Sequence, residues 1–291
     1  MTTISSPQSS PAMSAITGFA EVNGAKLYYE VMGEGQPLVL IHAGIVDRRM
    51  WDDQFGVFAP HYRVIRYDVR GFGYSQTSES STHMPITYAD HQDLYGLLKF
   101  LNIDQAFMLG VSNGGRIALD FTLEYPNMVK ALIPVAPGLG GYEFTDEATE
   151  QKDAEADAAH DQGDIAQAVE LTLQLWVDGP QRTADQVDPT VRERVREMTT
   201  YLCELPEDKS ERQRLEPAAI SRLAEIRTPT LVLVGDQDVP DMLAIADLLA
   251  AGIDGADKVI MSGVAHLPNM EKPEEFNQIV LDFLSKQRGH Q

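Results

Sequence analysis

The chain is poor in cysteine, in tryptophan and in positive charge. One cysteine in 291 residues, Cys203, leaves no partner for an intramolecular disulfide and no thiolate cluster for zinc. Cys203 is read as a helix residue. The two tryptophans, Trp51 and Trp176, read as core or pocket-wall residues. Lys and Arg number 23 against 44 Asp and Glu, a formal net charge of −21. A polyanion is repelled by nucleic acid and by anionic membrane surfaces, so neither is an expected partner. No apolar run reaches the ~20 residues of a membrane span. The first 17 residues, rich in Ser, Pro and Thr, lack the basic start and apolar centre of a signal peptide. They are expected to form a disordered leader on a cytoplasmic protein. Oligomeric state is open, a homo-oligomer included.

What is present is a regular alternation. Phe19 to Val22 and Lys26 to Val31 read as a hairpin turning at Asn23-Gly24, a strong turn pair. Pro37 to Ile41 and Val64 to Asp68 are short apolar runs bounded by turn residues, as buried strands are. Asp47 reads as the cap of a helix carrying Met50, Trp51 and Phe55. A second helix is predicted over about Thr87 to Leu101, with Leu94, Leu97, Leu98 and Leu101 at helical spacing. Strand-and-helix alternation of this kind implies a parallel sheet covered on both faces. Composition changes after Pro137. Thr145 to Asp164 is acidic and alanine-rich, Ile165, Val169, Leu173 and Trp176 form one helical stripe, and a further helix is predicted from Pro189 to Leu202. The alternation resumes near Arg227.

The chemistry is written at three strand ends. Gly110-Val111-Ser112-Asn113-Gly114 lies between the apolar run Ala106 to Leu109 and a helical pattern, the context of a nucleophile elbow. The turn is so tight that its neighbours must be nearly free of side chain, and the serine takes strained backbone angles. The five-residue pattern alone arises by chance in roughly one 300-residue chain in ten, so its surroundings decide. A serine hydroxyl needs a base, and the base needs an acid to orient it. Downstream, Thr230 to Val234 reads as a buried strand running into Gly235-Asp236-Gln237-Asp238. Lys258 to Met261 runs into Ser262-Gly263-Val264-Ala265-His266. Serine, acid and histidine thus follow in chain order at one edge of a parallel sheet, where ligands bind in such folds.

With these motifs the chain resembles the α/β-hydrolase fold superfamily, in its group of capped serine esterases and hydrolases, over about residues 18 to 288. The likeness also rests on Leu40-Ile41-His42-Ala43-Gly44, on Tyr67-Asp68-Val69-Arg70-Gly71-Phe72-Gly73-Tyr74-Ser75 and on Gly114-Gly115-Arg116-Ile117-Ala118-Leu119. Two positions depart from the usual pattern: Ala43, where Gly is common, and Asn113, where an apolar residue is common. The resemblance implies a mostly parallel eight-stranded sheet with helices on both faces and a helical cap after the sixth strand. Residues 18–137 and 227–291 would form the core, and 138–226 the cap.

It further implies a triad of Ser112, Asp238 and His266, with Asp236 shaping the turn. The oxyanion hole would be the backbone N–H groups of Asn113 and Gly44, with Ile45 as an alternative second donor. His42 would hold its loop, and Asp68 and Arg70 would brace the turn after the fourth strand. Ile45, Phe144, Leu173, Trp176 and Met198 are the candidate substrate contacts. Such a site needs no metal or organic cofactor. The expected activity is hydrolysis of small, fairly apolar carboxylic esters through an acyl-enzyme. A carbon–carbon bond hydrolase, an enol-lactonase, a cofactor-free perhydrolase or an acyltransferase would use the same triad, and a small-molecule receptor on this fold could retain it. Serine at the elbow disfavours the dehalogenases and epoxide hydrolases, which carry aspartate there.

Overall fold

The computed structural model describes residues 14–77, 86–206 and 208–287. It opens with an antiparallel hairpin, β1 (Ile16–Val22) and β2 (Ala25–Met32). The two turn residues both have positive φ, 46° at Asn23 and 74° at Gly24, which suits a two-residue hairpin. Six further strands follow: β3 (Pro37–Ile41), β4 (Arg63–Tyr67), β5 (Ala106–Val111), β6 (Val129–Val135), β7 (Leu231–Gly235) and β8 (Asp257–Met261). Their order is β1-β2-β4-β3-β5-β6-β7-β8, parallel from β4 onward. A two-residue strand, Gln76–Thr77, adds to β2 and makes the sheet nine-stranded rather than eight.

Both faces of the central strands are buried, which explains their unbroken apolar runs. Val39 and Ile41 pack with α2 (Asp90–Phe100), α3 (Asn113–Glu124) and α7 (Pro240–Gly252), through Leu94, Phe121 and Leu249 among others. Leu38 and Leu40 face the other way, toward α1 (Asp52–Phe58) and α8 (Pro273–Gln287), where Phe58, Phe276 and Leu284 fill the space. Trp51 is completely buried there, its ring 6.3 Å from that of Phe276.

Between β6 and β7 lies a largely helical insertion of α4 (Glu147–Asp161), α5 (Ile165–Leu173) and α6 (Pro189–Cys203). Each helix starts on an aspartate whose carboxylate accepts from a first-turn N–H: Asp146 from Thr149, Asp164 from Gln167, Asp188 from Thr190. After α5 the chain runs into a π turn, Gln174–Asp178. Cys203 ends α6, half-buried, with burial pushing its thiol pKa up.

Four sequence expectations need adjustment. β1 begins at Ile16, inside the stretch read as leader; the rest of that stretch, residues 1–13, lies outside the described residues. The second helix starts at Asp90, not Thr87, because Thr87–Tyr88 pairs in parallel with Glu211–Arg212. The same pairing puts a strand inside a segment read as all-helical. That contact spans more than 120 residues of chain, and no local periodicity encodes it. Finally, Ala219, Leu223 and Ile226, counted with the insertion, are buried in the core cluster beside α3 and α7.

Candidate active site

The elbow follows from what surrounds its glycines. A Cβ at Gly110 would lie 2.2 Å from the Gly114 carbonyl oxygen, and one at Gly114 would lie 2.2 Å from that of Ile41. At Gly115 a Cβ would meet Pro137 at 2.6 Å. Only glycine lets strand and helix come this close, and the residue between them carries the strain. Ser112 sits at φ 54°, ψ −116°, a conformation non-glycine residues rarely take. Its N–H donates to Val135 O at 2.9 Å, and its carbonyl accepts from Arg116 and Gly138, both at 3.0 Å. The side chain is partly exposed at the N-terminus of α3.

The sheet register sets the other groups against it. Val111, Val135 and Leu233 are level across β5, β6 and β7, and Gly235 is level with Met261 on β8. Asp238 stands three residues past the end of β7 and His266 five past the end of β8. Their loops meet: His266 Nδ1 is 2.9 Å from Asp238 Oδ2, with both side chains essentially buried. A carboxylate can only accept, so Nδ1 carries the proton and Nε2 is the basic nitrogen. The second Asp238 oxygen accepts from Val239 N–H at 2.8 Å. Asp236 turns away and accepts from Gly263 N–H, the Ser262 hydroxyl and the Gln237 amide. Burial raises its pKa, but these bonds outweigh it and hold the carboxyl below its usual range. Among the described residues no hydrogen bond engages the Ser112 hydroxyl or His266 Nε2.

Gly44, exposed at the end of the loop after β3, faces the elbow: a Cβ there would lie 3.5 Å from that of Asn113. The loop is held by His42, whose Nε2 accepts from Val69 N–H at 2.9 Å while Nδ1 donates to Ala43 O at 2.7 Å. Complete burial lowers the pKa of this imidazole, so it stays neutral and serves as a fixed strut. Asp68 receives Arg48 and the Tyr74 N–H, and Arg70 pairs with Asp93 at 2.7 Å, which braces the turn after β4. The Asn113 side chain is drawn back against Arg116, 2.9 Å away, and Arg116 pairs in turn with Asp90 and Asp120. Burial raises the Asp120 carboxyl to about 6 even so.

The five candidate contact residues are distributed unevenly. Ile45, Leu173 and Met198 share the apolar cluster that also holds Val264 and Leu267 of the histidine loop. The Thr199 hydroxyl donates to Ile45 O at 2.9 Å, fastening α6 to the loop after β3. Phe144 packs instead beside Tyr142 on the other cluster. Trp176 lies on the His266 ring, with centroids 4.5 Å apart and planes at 44°. Sequence reasoning missed Arg182 and Glu271. Arg182 donates to Glu271 Oε2 at 2.6 Å, and Glu271 Oε1 accepts from Ala265 N–H at 2.7 Å, next to His266. An acid near a helix start looks like an ordinary surface residue in sequence, so nothing marked it. Among the described residues no group of three or more His, Cys, Asp or Glu side chains is placed to hold a metal ion.

A parallel sheet in this strand order, with a strained serine and a histidine–carboxylate pair at its C-terminal edge, defines a hydrolase architecture. The model of the alpha/beta hydrolase fold family matches residues 36–273, and the chain belongs to that family. The chain is similar to the 2-hydroxy-6-oxo-6-phenylhexa-2,4-dienoate hydrolase of Comamonas testosteroni, 26% identical over 281 residues, 89% of this chain and 91% of that one. It is likewise similar to 3-oxoadipate enol-lactonase 1 of Acinetobacter baylyi, 26% identical over 266 residues, 90% of this chain and 94% of that one. Among solved structures, a thermophilic esterase from Thermogutta terrifontis has the same fold, with a TM-score of 0.72 at 24% identity, covering 94% of this chain and 99% of that one. The protein is a hydrolase of this superfamily. Among the described residues no helix is long and apolar enough to cross a membrane.

Proposed function

We propose that the protein is a carboxylic ester hydrolase acting through an acyl-enzyme, with Ser112 as nucleophile, His266 as general base and Asp238 as its partner. The observation that carries this is the Asp238–His266 pair, which leaves Nε2 free at the sheet edge where Ser112 is held in a strained turn. As the Ser112 oxygen attacks the ester carbonyl, its proton passes to His266 Nε2, and Asp238 stabilises the imidazolium. The N–H groups of Asn113 and Gly44 receive the developing oxyanion. Collapse breaks the bond to the alkoxy group, which leaves as the alcohol with the proton from Nε2. Water, deprotonated by the same nitrogen, then releases the acid and restores the serine. The Ser112–His266 hydrogen bond forms as substrate binds, as such contacts often do.

The helical insertion serves as the cap. Its apolar residues join the cluster of the histidine loop, while Arg182, Arg192, Arg194 and Arg196 each pair with a carboxylate. Cations already neutralised favour uncharged substrates, which supports small, apolar esters over the acid anions named for the two relatives. A panel of p-nitrophenyl esters of rising acyl length, with one lactone and one vinylogous diketone, tests this. Turnover of short esters, abolished in Ser112→Ala with the fold intact, is the expected result. Retained turnover in that variant would remove Ser112 from its role. Faster cleavage of the diketone would favour the carbon–carbon reading, which similarity to the Comamonas relative and to further dienedioate hydrolases supports.

A further inference from the structure

We propose that Trp176, supplied by the insertion, is a positioning residue for His266 whose indole stabilises the imidazolium form; this rests on the general-base role assigned above. The two rings are 4.5 Å apart, well inside the ~6 Å over which an aromatic face attracts a cation. His266 is 2% exposed, so little water competes for its charge. Asp153 of α4 interacts with the Trp176 side chain, and burial raises the pKa of its carboxyl.

Neighbouring chain segments are pinned so that this contact is built in. Trp176 stands in the π turn Gln174–Asp178, a local widening of the helix that often marks a functional position. Arg182 donates to Val177 O and Asp178 O, both at 2.7 Å, and the same guanidinium reaches Glu271 and Gly263 O on the histidine loop. Gly179, at φ 76°, abuts Gln237: a Cβ there would lie 2.2 Å from the Gln237 carbonyl oxygen. The turn is thus seated on both the acid loop and the base loop. The charged groups around the paired rings are Asp238 at 2.9 Å from the imidazole, Glu271 and Arg182 beside the histidine loop, and Asp153, itself near Asp157, by the indole.

Two effects of the indole oppose each other. Its face attracts the charged imidazolium, whereas its bulk excludes the water that would solvate that charge. The proposal is that attraction prevails, so removing the ring lowers the pKa. In a Ser112→Ala background the His266 imidazole is titrated by NMR, a measurement that needs no substrate. Trp176→Leu is expected to lower its pKa by about half a unit to one unit, and Trp176→Phe by less. An unchanged or raised value in Trp176→Leu overturns the proposal; if that variant does not fold, the sign of the shift in Trp176→Phe decides in the same way. With Ser112 restored, the acid limb of kcat/KM against pH for p-nitrophenyl butyrate should move by the same amount. Absence of turnover would count against the esterase reading alone, because the titration stands without it.

Discussion

The sheet-and-helix core and the helical insertion hold their shape by different means. In the core, position is set by backbone fit. Gly110, Gly114 and Gly115 leave no room for a side chain, and the strands beneath them are buried on both faces. In the insertion, apolar packing on the histidine-loop cluster is joined by a set of charged pairs. Arg192 bridges Glu170 and Asp178, Arg196 joins Glu170, and Arg182 ties the π turn to Glu271. At the start of the insertion, Asp241 of α7 accepts from the Tyr142 hydroxyl and from Thr145 and Asp146 N–H groups. Backbone packing gives a nucleophile little latitude, while ion pairs can be rearranged by salt, pH or substrate. On the proposed function, the reaction is anchored in the rigid part and selection of substrate falls to the adjustable part.

That contrast can be broken at either end. The largest effect is expected from Asp238→Asn, which leaves packing intact but favours the wrong imidazole tautomer. Its kcat on p-nitrophenyl butyrate should fall about 10⁴-fold with melting temperature nearly unchanged. A fall of less than tenfold would show that another acid orients His266. Gly114→Ala comes next, because its methyl would overlap the Ile41 and His42 carbonyls. A loss of roughly 3 kcal/mol in stability is expected, a drop of about 10 °C in a thermal melt, together with loss of activity.

Smaller effects on activity belong to the insertion. Arg182→Ala leaves the buried Glu271 carboxyl, whose pKa burial already raises despite the Arg182 contact, without its cation. About 3 kcal/mol of stability and tenfold in kcat should be lost, read by urea unfolding and steady-state kinetics. Glu170→Gln should be mildest. Hydrogen bonds from Arg192 first, and from Arg196 and Gln174, hold the Glu170 carboxyl at about 2 against an ordinary value of 4.5. A lowered folded-state pKa means the stabilisation is present above about pH 4.5 and is lost as pH falls toward 2. The side chain is one-third exposed, so less than about 1 kcal/mol is expected. The difference between wild type and variant should shrink steadily as pH falls from about 4.5 toward 2; a constant difference across that range would place the effect elsewhere.

Legibility in the sequence followed the same division. The hairpin turn at Asn23-Gly24, the apolar strands and the elbow were readable because each is a local pattern with a local physical cause, whereas the choice of Asp238 over Asp236 as partner of His266 came from the family resemblance alone. Thr87–Tyr88 was misread as helix because its partner strand is far away in the chain. Arg182 and Glu271 were invisible for the same reason: nothing near either residue says that the other is there. Phe144 and Trp176 looked equivalent as aromatic residues of the insertion, yet one packs beside Tyr142 and the other on His266.

By itself, the order of residues determined which backbone segments become strands and helices, where the chain must turn without side chains, and which hydroxyl, imidazole and carboxyl stand at strand ends. These depend on steric limits and periodicity within a few residues. Only the tertiary structure decided what leans on the histidine, which charges cancel across the insertion, and which tautomer His42 holds. Those outcomes depend on distances between segments remote in the chain, and short-range preferences of the backbone do not encode them.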